Sequence, residues 1–382
     1  MASQPTFFIN TKYAIFSVLV MFGLAAGLAA RAQDTSVTAP EQEFMRGKVI
    51  DITDEQRQIS DGFDFEAQQT ALIELRTGSQ KGQVVTVDYI FSSLNFDELK
   101  LSKGDRVVMA MVTSEGFAPQ FYVMDSYRLP WVLVLTVIFA GLACLLGRRK
   151  GAGALLGLGL SIAVIMLVTV PWIIRGGNPL TASLVGALII AVASMLLAHG
   201  TSRRTLLALG ATLGTLIMAV VLALLSVYSV GLSGSGTEEA IFLQIGYLSG
   251  LNLRGLLLGA IIIGTLGVLD DVTTAQVAAI EEIHKADKRL SGWELYRRGL
   301  SVGREHIASL VNTLILAYVG AAFPLFLLFA MPDHPPIWVI VNGENIVEEI
   351  VRALVGGAAL MLAVPVSTAI AAFAFGRKTR RV

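Results

Sequence analysis

Apolar residues run along this chain in stretches near 20 residues long, separated by short polar segments. The stretches fall at about 13–30, 130–147, 152–174, 179–199, 205–231, 251–269, 307–331 and 348–376 and carry few charges. A helix of about 20 apolar residues crosses a hydrocarbon core, so the pattern predicts eight transmembrane helices. The stretch 43–126 reads differently. Short runs rich in Val, Ile and Tyr lie at Gly47–Ile52, Thr70–Leu75, Gln83–Ile90, Asp105–Val112 and Pro119–Asp125. Turn residues such as Thr77-Gly78-Ser79 and Lys103-Gly104-Asp105 separate them, which predicts five short strands. A small OB-like barrel is the architecture that fits.

The predicted fold class is therefore a polytopic α-helical membrane protein with a small extracytoplasmic β domain. Its parts are an N-terminal anchor (1–30), a β domain (31–129) and a seven-helix bundle (130–382). The first segment has two readings. Lys12 and the apolar run suit a retained anchor, and Ala30-Arg31-Ala32 suits a signal-peptidase site. Within the bundle, 272–305 reads as a cytoplasmic amphipathic segment of the kind that lies on a membrane surface, with Val277, Ile280 and Ile283 among charged residues.

Composition sharpens this. Of 382 residues, 54% are hydrophobic and 15% charged, with a mean hydropathy of +0.68. A soluble domain carries about 25% charged residues, so a soluble enzyme is excluded. The formal net charge is +0, and nothing argues for a nucleic-acid partner. The zero hides an asymmetry: from Arg31 to Ser126, 16 acidic residues stand against 9 basic ones. The single cysteine, Cys144, excludes an internal disulfide.

Basic residues set the expected orientation. One set of loops holds 15 Lys or Arg, at Arg148–Lys150, Arg203–Arg204, Lys285–Arg304 and Arg377–Arg381, whereas the opposite short loops hold Arg175, Arg254 and Arg352. Positive residues stay inside, so both termini are expected in the cytoplasm of a cell-membrane protein and 31–129 outside.

Charged groups near a span are functional candidates because burying them in lipid is costly. The first group is Asp270, Asp271, Thr273, Thr274 and Gln276, an oxygen-rich cluster at the end of the sixth run. Adjacent carboxylates with hydroxyls suit proton or cation coupling. The same residues also suit a cap opening a cytoplasmic helix. The second group is Asn312 and Thr313, on a stripe with His306 and Ser309, where interhelical hydrogen bonding is the alternative. The third is Glu348, Glu349 and Arg352, preceded by Glu344, at ion-pair spacings that suit an outer gate or an interfacial salt bridge. Glu281, Glu282 and His284 match no zinc signature, and the metal ligands, if any, are left unassigned. No Walker A, H-E-x-x-H or other cofactor motif occurs, and no cofactor is expected. Adjacent carboxylates on a helix point about 100° apart and form no facing dyad, so no catalytic residues and no enzyme are expected.

Three stretches, GVLDDVTTAQVAAIEEI (Gly267–Ile283), HIASLVNTLILAYVGAAFP (His306–Pro324) and ENIVEEIVRALVGGAALMLAVP (Glu344–Pro365), resemble the YibE/F-like family of bacterial multi-pass membrane proteins. The resemblance implies an anchor, an extracytoplasmic domain and a multi-span bundle, and its motifs fall on Asp270, Asp271, Thr274, Asn312, Glu348, Glu349 and Arg352. Two functions are compatible with these residues. One is a proton- or cation-coupled transporter or permease for a small solute or ion. The other is a scaffold or sensor in the lipid bilayer whose residues 31–129 recruit a protein partner. A polar cavity joining Asp270 to Asn312 or Glu348 would favour the first.

Overall fold

The computed structural model describes residues 41–59, 65–92, 100–113, 118–328, 331 and 335–376. The expected first span, 13–30, lies outside them. The chain divides into two compact units between Phe139 and Ala140.

The first unit is an antiparallel sheet of β1 (Glu41–Ile59), β2 (Phe65–Leu75), β3 (Val84–Ser92), β4 (Arg106–Thr113) and β5 (Gln120–Ser126), in the order β3-β2-β1-β4-β5. All five expected strands are present. β1 is far longer than its alternation suggested, because its first half pairs with β4 and its second with β2. Bulges at Val49/Asp51 and Ile52/Asp54 bend it, and bulges increase local twist and curl a sheet. Gly47 sits where both partners meet; a Cβ there would strike Ile73 and Met109. The sheet closes around Met45, Val49, Ile73, Leu75, Val107 and Met109. Buried Gln69 accepts the Leu101 amide at 2.8 Å and so anchors the segment before β4. Of the expected small OB-like barrel, the described residues form a curled half-barrel, with β3 and β5 as its edge strands.

The second unit is helical. Among the described residues, five helices are long and apolar enough to cross a membrane, and the first of them covers two of the eight expected spans. The first runs from Leu129 to Ile174 and comprises α1 (Leu129–Val164), a π-helical turn (Ile165–Thr169) and α2 (Val170–Ile174). At 46 residues, a straight helix would measure about 69 Å, over twice the hydrocarbon thickness. It is not straight. Arg148 has φ 49 and ψ −127, and a Cβ on Gly151 would collide with the Ala143 carbonyl, so the chain reverses there. The other four are α3 (Pro179–His199), α4 (Arg203–Val230), α6 (Leu253–Ala286) and α10 (Glu344–Phe375). The expected span 307–331 is broken. α7 (Gly292–Ala321) stops at Ala322 and a short α8 (Phe323–Leu328) follows. Pro324 has no N–H for Gly320 and clashes with that turn, which ends a helix. The remaining short helices are α5 (Glu238–Phe242) and α9 (Ile337–Val341).

Helix boundaries follow local chemistry. Asn178 caps α3, with Pro179 in its first turn; Ser202 caps α4; Asn252 caps α6; and Ser291 with Glu294 forms a capping box on α7. Gly231, at φ 78, closes α4 in the left-handed conformation.

α6 is the hub, packed against α3, α4, α7 and α10. Small residues set the distances. Gly153 and Gly157 lie on Ala198 and Ser194, and Gly259 lies on Ser183. Gly210 and Gly214 share that spacing, yet nothing stands within 4 Å of a Cβ at either. α6 does not end near Asp270. Its turns beyond 272 continue unbroken, with Val277 and Ile280 fully buried beside Leu295, Ala371 and Ala372. Residues 272–305 form the end of α6 and the start of α7, with Val277, Ile280 and Leu295 turned into the core and Glu282, Lys285, Lys288, Arg297 and Arg304 exposed.

Candidate functional site

Asp270, Thr273 and Gln276 follow one another at intervals of three along α6. Three residues turn a helix by about 300°, so successive side chains step round it by about 60°. They consequently address three different neighbours rather than one face.

Asp270 points to α3. Its Oδ2 accepts a hydrogen bond from Ser194 Oγ at 3.1 Å, and Ser194 in turn is held against Gly157. The other carboxylate oxygen, Oδ1, is buried and has no hydrogen-bond partner among the described residues. Thr273 points to α4, where its hydroxyl lies 2.6 Å from that of Thr212; both residues are fully buried. Gln276 points between α7 and α10. Its Nε2 donates to the Gly299 carbonyl at 2.9 Å and to Thr368 Oγ1 at 2.7 Å. A Cβ on Gly303 would press on the same amide. The result is a polar seam through the bundle, joining five helices by way of α6. Asp271 faces outward and is exposed, and Thr274 is half-buried. With Asp270 in mid-helix, the helix-cap reading does not hold.

Ser194, Thr212 and Thr368 complete the seam, and the sequence offered only a faint signal for them. Each is a hydroxyl in a largely apolar helix, where a bond to the preceding turn is the commoner role.

The other expected residues lie elsewhere. Glu348 sits near the start of α10, level with the beginning of α6, where Gly234 lies against the Leu253 carbonyl. Leu253 and Asp270 are about 26 Å apart along α6. There the loop 231–237 wraps the two acids. Glu344 Oε1 accepts from Ser233 N at 2.6 Å, Ser233 Oγ at 2.7 Å and Gly234 N at 3.0 Å, while Glu348 Oε1 accepts from Gly236 N at 2.9 Å. Arg254 adds a bond from Nε to the Leu232 carbonyl at 2.7 Å. These carboxylates meet N–H and O–H donors, so the cluster is a clasp between loop and helix rather than a cation site. Arg352 pairs with Glu349 at 3.3 Å, not with Glu348. Asn312 and Thr313 are exposed on the C-terminal half of α7, and the Thr313 hydroxyl bonds back to the Ser309 carbonyl. The structure therefore brings Asp270, Thr273 and Gln276 into one seam and leaves Asn312, Thr313, Glu348, Glu349 and Arg352 outside it.

Two cavities among the described residues lie away from these places. The spaces of about 500 and 350 Å³ lie around Gly176 and Gly177, lined by Trp172 and Arg175 in one case and by Asn178 and Asn252 in the other. Among the described residues, no three His, Cys, Asp or Glu side chains gather closely enough to hold a metal ion. Glu281 and Glu282 are both paired with Lys285, at 3.1 and 2.9 Å. Gly299-Leu300-Ser301-Val302-Gly303 has the G-x-S-x-G spacing of a hydrolase nucleophile. It lies inside α7 rather than on a strand-to-helix turn, and its glycines serve packing against Ile280 and Val364.

No curated protein and no solved structure matches the chain. The family model described as YibE/F-like protein matches residues 135–377, which contain the whole polar seam and the clasp. With well over half of its length matched, the chain belongs to the YibE/F-like family.

Proposed function

We propose that this protein is a proton- or cation-coupled secondary transporter of the bacterial cell membrane, and not an enzyme. The observation that carries this reading is Asp270: a carboxylate in mid-helix within an apolar bundle, with one oxygen bonded to Ser194 and the other buried without a partner. Carboxylates inside membrane helices are costly and mark ion or proton pathways. The seam of Thr212, Thr273, Gln276 and Thr368 gives the surrounding helices a set of exchangeable hydrogen bonds. In this packed arrangement the seam is closed, so transport requires α6 to shift against α3 or α4. The basic reversal within α1 and the basic ends of α4, α6 and α7 face the cytoplasm in this reading, which puts the sheet outside.

The test is thermal unfolding of the purified full-length protein across pH and across Na⁺, K⁺, Mg²⁺ and Ca²⁺ series, in wild type, Asp270→Asn and Asp271→Asn. A ligand bound only by the native state stabilises it by about 2.7 kcal/mol at 100 times its Kd. We expect one ion or pH range to stabilise wild type and Asp271→Asn but not Asp270→Asn. Profiles that are flat and identical in all three remove the coupling role.

The second reading, a scaffold or sensor, draws on the sheet. Phe44 pairs with Ala110 and Ala110 with Tyr122, a row across one face in which Phe44 and Tyr122 are exposed. Capture of a partner by wild type, lost in Phe44→Ser and Tyr122→Ser while the ion profiles stay flat, selects it.

A further inference from the structure

We infer that the particle Asp270 takes up is a proton and not a metal cation. This rests on the transport reading above and names its coupling species.

The oxygens around Asp270 are too few and too committed for a cation. Ser194 Oγ lies 3.1 Å from Oδ2. The hydroxyls of Thr212 and Thr273 are engaged with each other, and Thr273 also donates to the Asp270 carbonyl at 3.2 Å. Main-chain carbonyls are no better placed. α6 runs as an unbroken helix from Leu253 to Ala286, so its carbonyls in this region are spent on the helix. Transporters that bind cations in the bilayer free such carbonyls by unwinding a helix at the site. A hard cation wants about six oxygens; here it would find one carboxylate and one serine hydroxyl. A proton needs only a single acceptor, and Oδ1 is that acceptor, buried and without a partner.

The charges nearby agree. Asp271, next in the chain, is a second acid and supplies no positive partner. From α3 the group facing Asp270 is the neutral hydroxyl of Ser194. Lys150, His199 and Arg204 lie together at the basic end and share their field with the exposed Asp271. The exposed Asp271 is thus the acid next to Asp270 in the chain through which a proton would arrive from water.

Infrared difference spectroscopy of the full-length protein in lipid bilayers tests this. Spectra are recorded for pH steps, and at fixed pH for steps in NaCl, KCl, MgCl₂ and CaCl₂. We expect a protonated-carboxyl C=O band that grows as pH falls, is absent in Asp270→Asn, persists in Asp271→Asn and shifts in Ser194→Ala. None of the four salts should remove it. Should Asp270→Asn fail to fold, the Ser194→Ala shift alone carries the assignment. A cation that abolishes the band at constant pH, or the lack of any Asp270-dependent band while the protein stays folded, overturns the proposal. Solute uptake driven by an imposed gradient separates the two readings. A proton-binding Asp270 in a wild-type protein that shows no gradient-driven uptake ends the transport reading alone. Loss of uptake together with a cation-sensitive band ends the proton assignment alone.

Discussion

The hydroxyl oxygens of Thr212 on α4 and Thr273 on α6 lie 2.6 Å apart, and neither residue has any solvent exposure. Changing one of them to Val leaves the other hydroxyl buried with a lost partner; changing both replaces the pair by methyl groups of similar shape. Interhelical hydrogen bonds in membrane proteins average about 0.6 kcal/mol and reach about 1.7. Thr212→Val and Thr273→Val should each cost about 1 kcal/mol, and the double variant clearly less than the sum. Unfolding titrations of the four proteins close this cycle. Additive costs would show that the hydroxyls act separately.

The clasp at the start of α10 depends on two glycines. Gly234 has φ +88, and a Cβ there would collide with the Leu253 carbonyl. Gly236 has the Glu348 carboxyl 2.7 Å from where its Cβ would stand. Gly234→Ala should therefore destabilise by about 1–3 kcal/mol through backbone strain alone. Gly236→Ala should displace Glu348 and expose the loop amides. Hydrogen exchange over 231–237 measures both, and unchanged protection in Gly236→Ala would mean the clasp is dispensable.

Glu43 in the sheet gives a pH prediction. Its carboxylate accepts from the Ser79 hydroxyl and, at 2.7 Å, from the Ser79 amide, which hold its pKa below the ordinary glutamate range. A depressed carboxylate adds stability that is complete above the unfolded-state pKa of about 4.3 and is lost as pH falls through the lower folded value. Exchange protection of the 77–82 turn should thus decline in acid in wild type, whereas Ser79→Ala should be weaker at neutral pH and flatter below it.

Arg148 occupies a backbone conformation, φ 49 and ψ −127, that non-glycine residues rarely adopt. Arg148→Gly should raise stability by about 1 kcal/mol, the relieved strain less the added flexibility of the unfolded chain. Arg148→Ala should give no such gain. Equal melting temperatures for all three proteins would show that the reversal is held by the flanking helices without strain.

How much of this was legible in the sequence differs from helix to helix. The boundaries 179–199 match α3 because Asn178, Pro179 and Gly200 act within a turn of their own positions. The strands were readable for the same local reason, since alternation and turn residues are properties of neighbours in sequence. The sixth run was cut short at 269 because two aspartates look like an interface. In the structure Asp270 is sheltered by Ser194, and the helix continues as far as Ala286. The run 307–331 looked continuous in hydropathy, which does not register the backbone break imposed around Pro324.

The chain by itself determined where locally capped helices such as α3 start and stop, which segments suit lipid, and that Asp270 is a costly residue to keep there. These depend on short-range sterics, capping and composition. The tertiary structure decided which groups meet. Gly153 and Gly157 found a neighbour, while Gly210 and Gly214, with the same spacing, did not. Glu348 went to the Gly236 amide rather than to Arg352, and Asp270 to Ser194, 76 residues away. A hydrogen bond acts over about 3 Å, so its partners are fixed by how helices rotate and pack against one another.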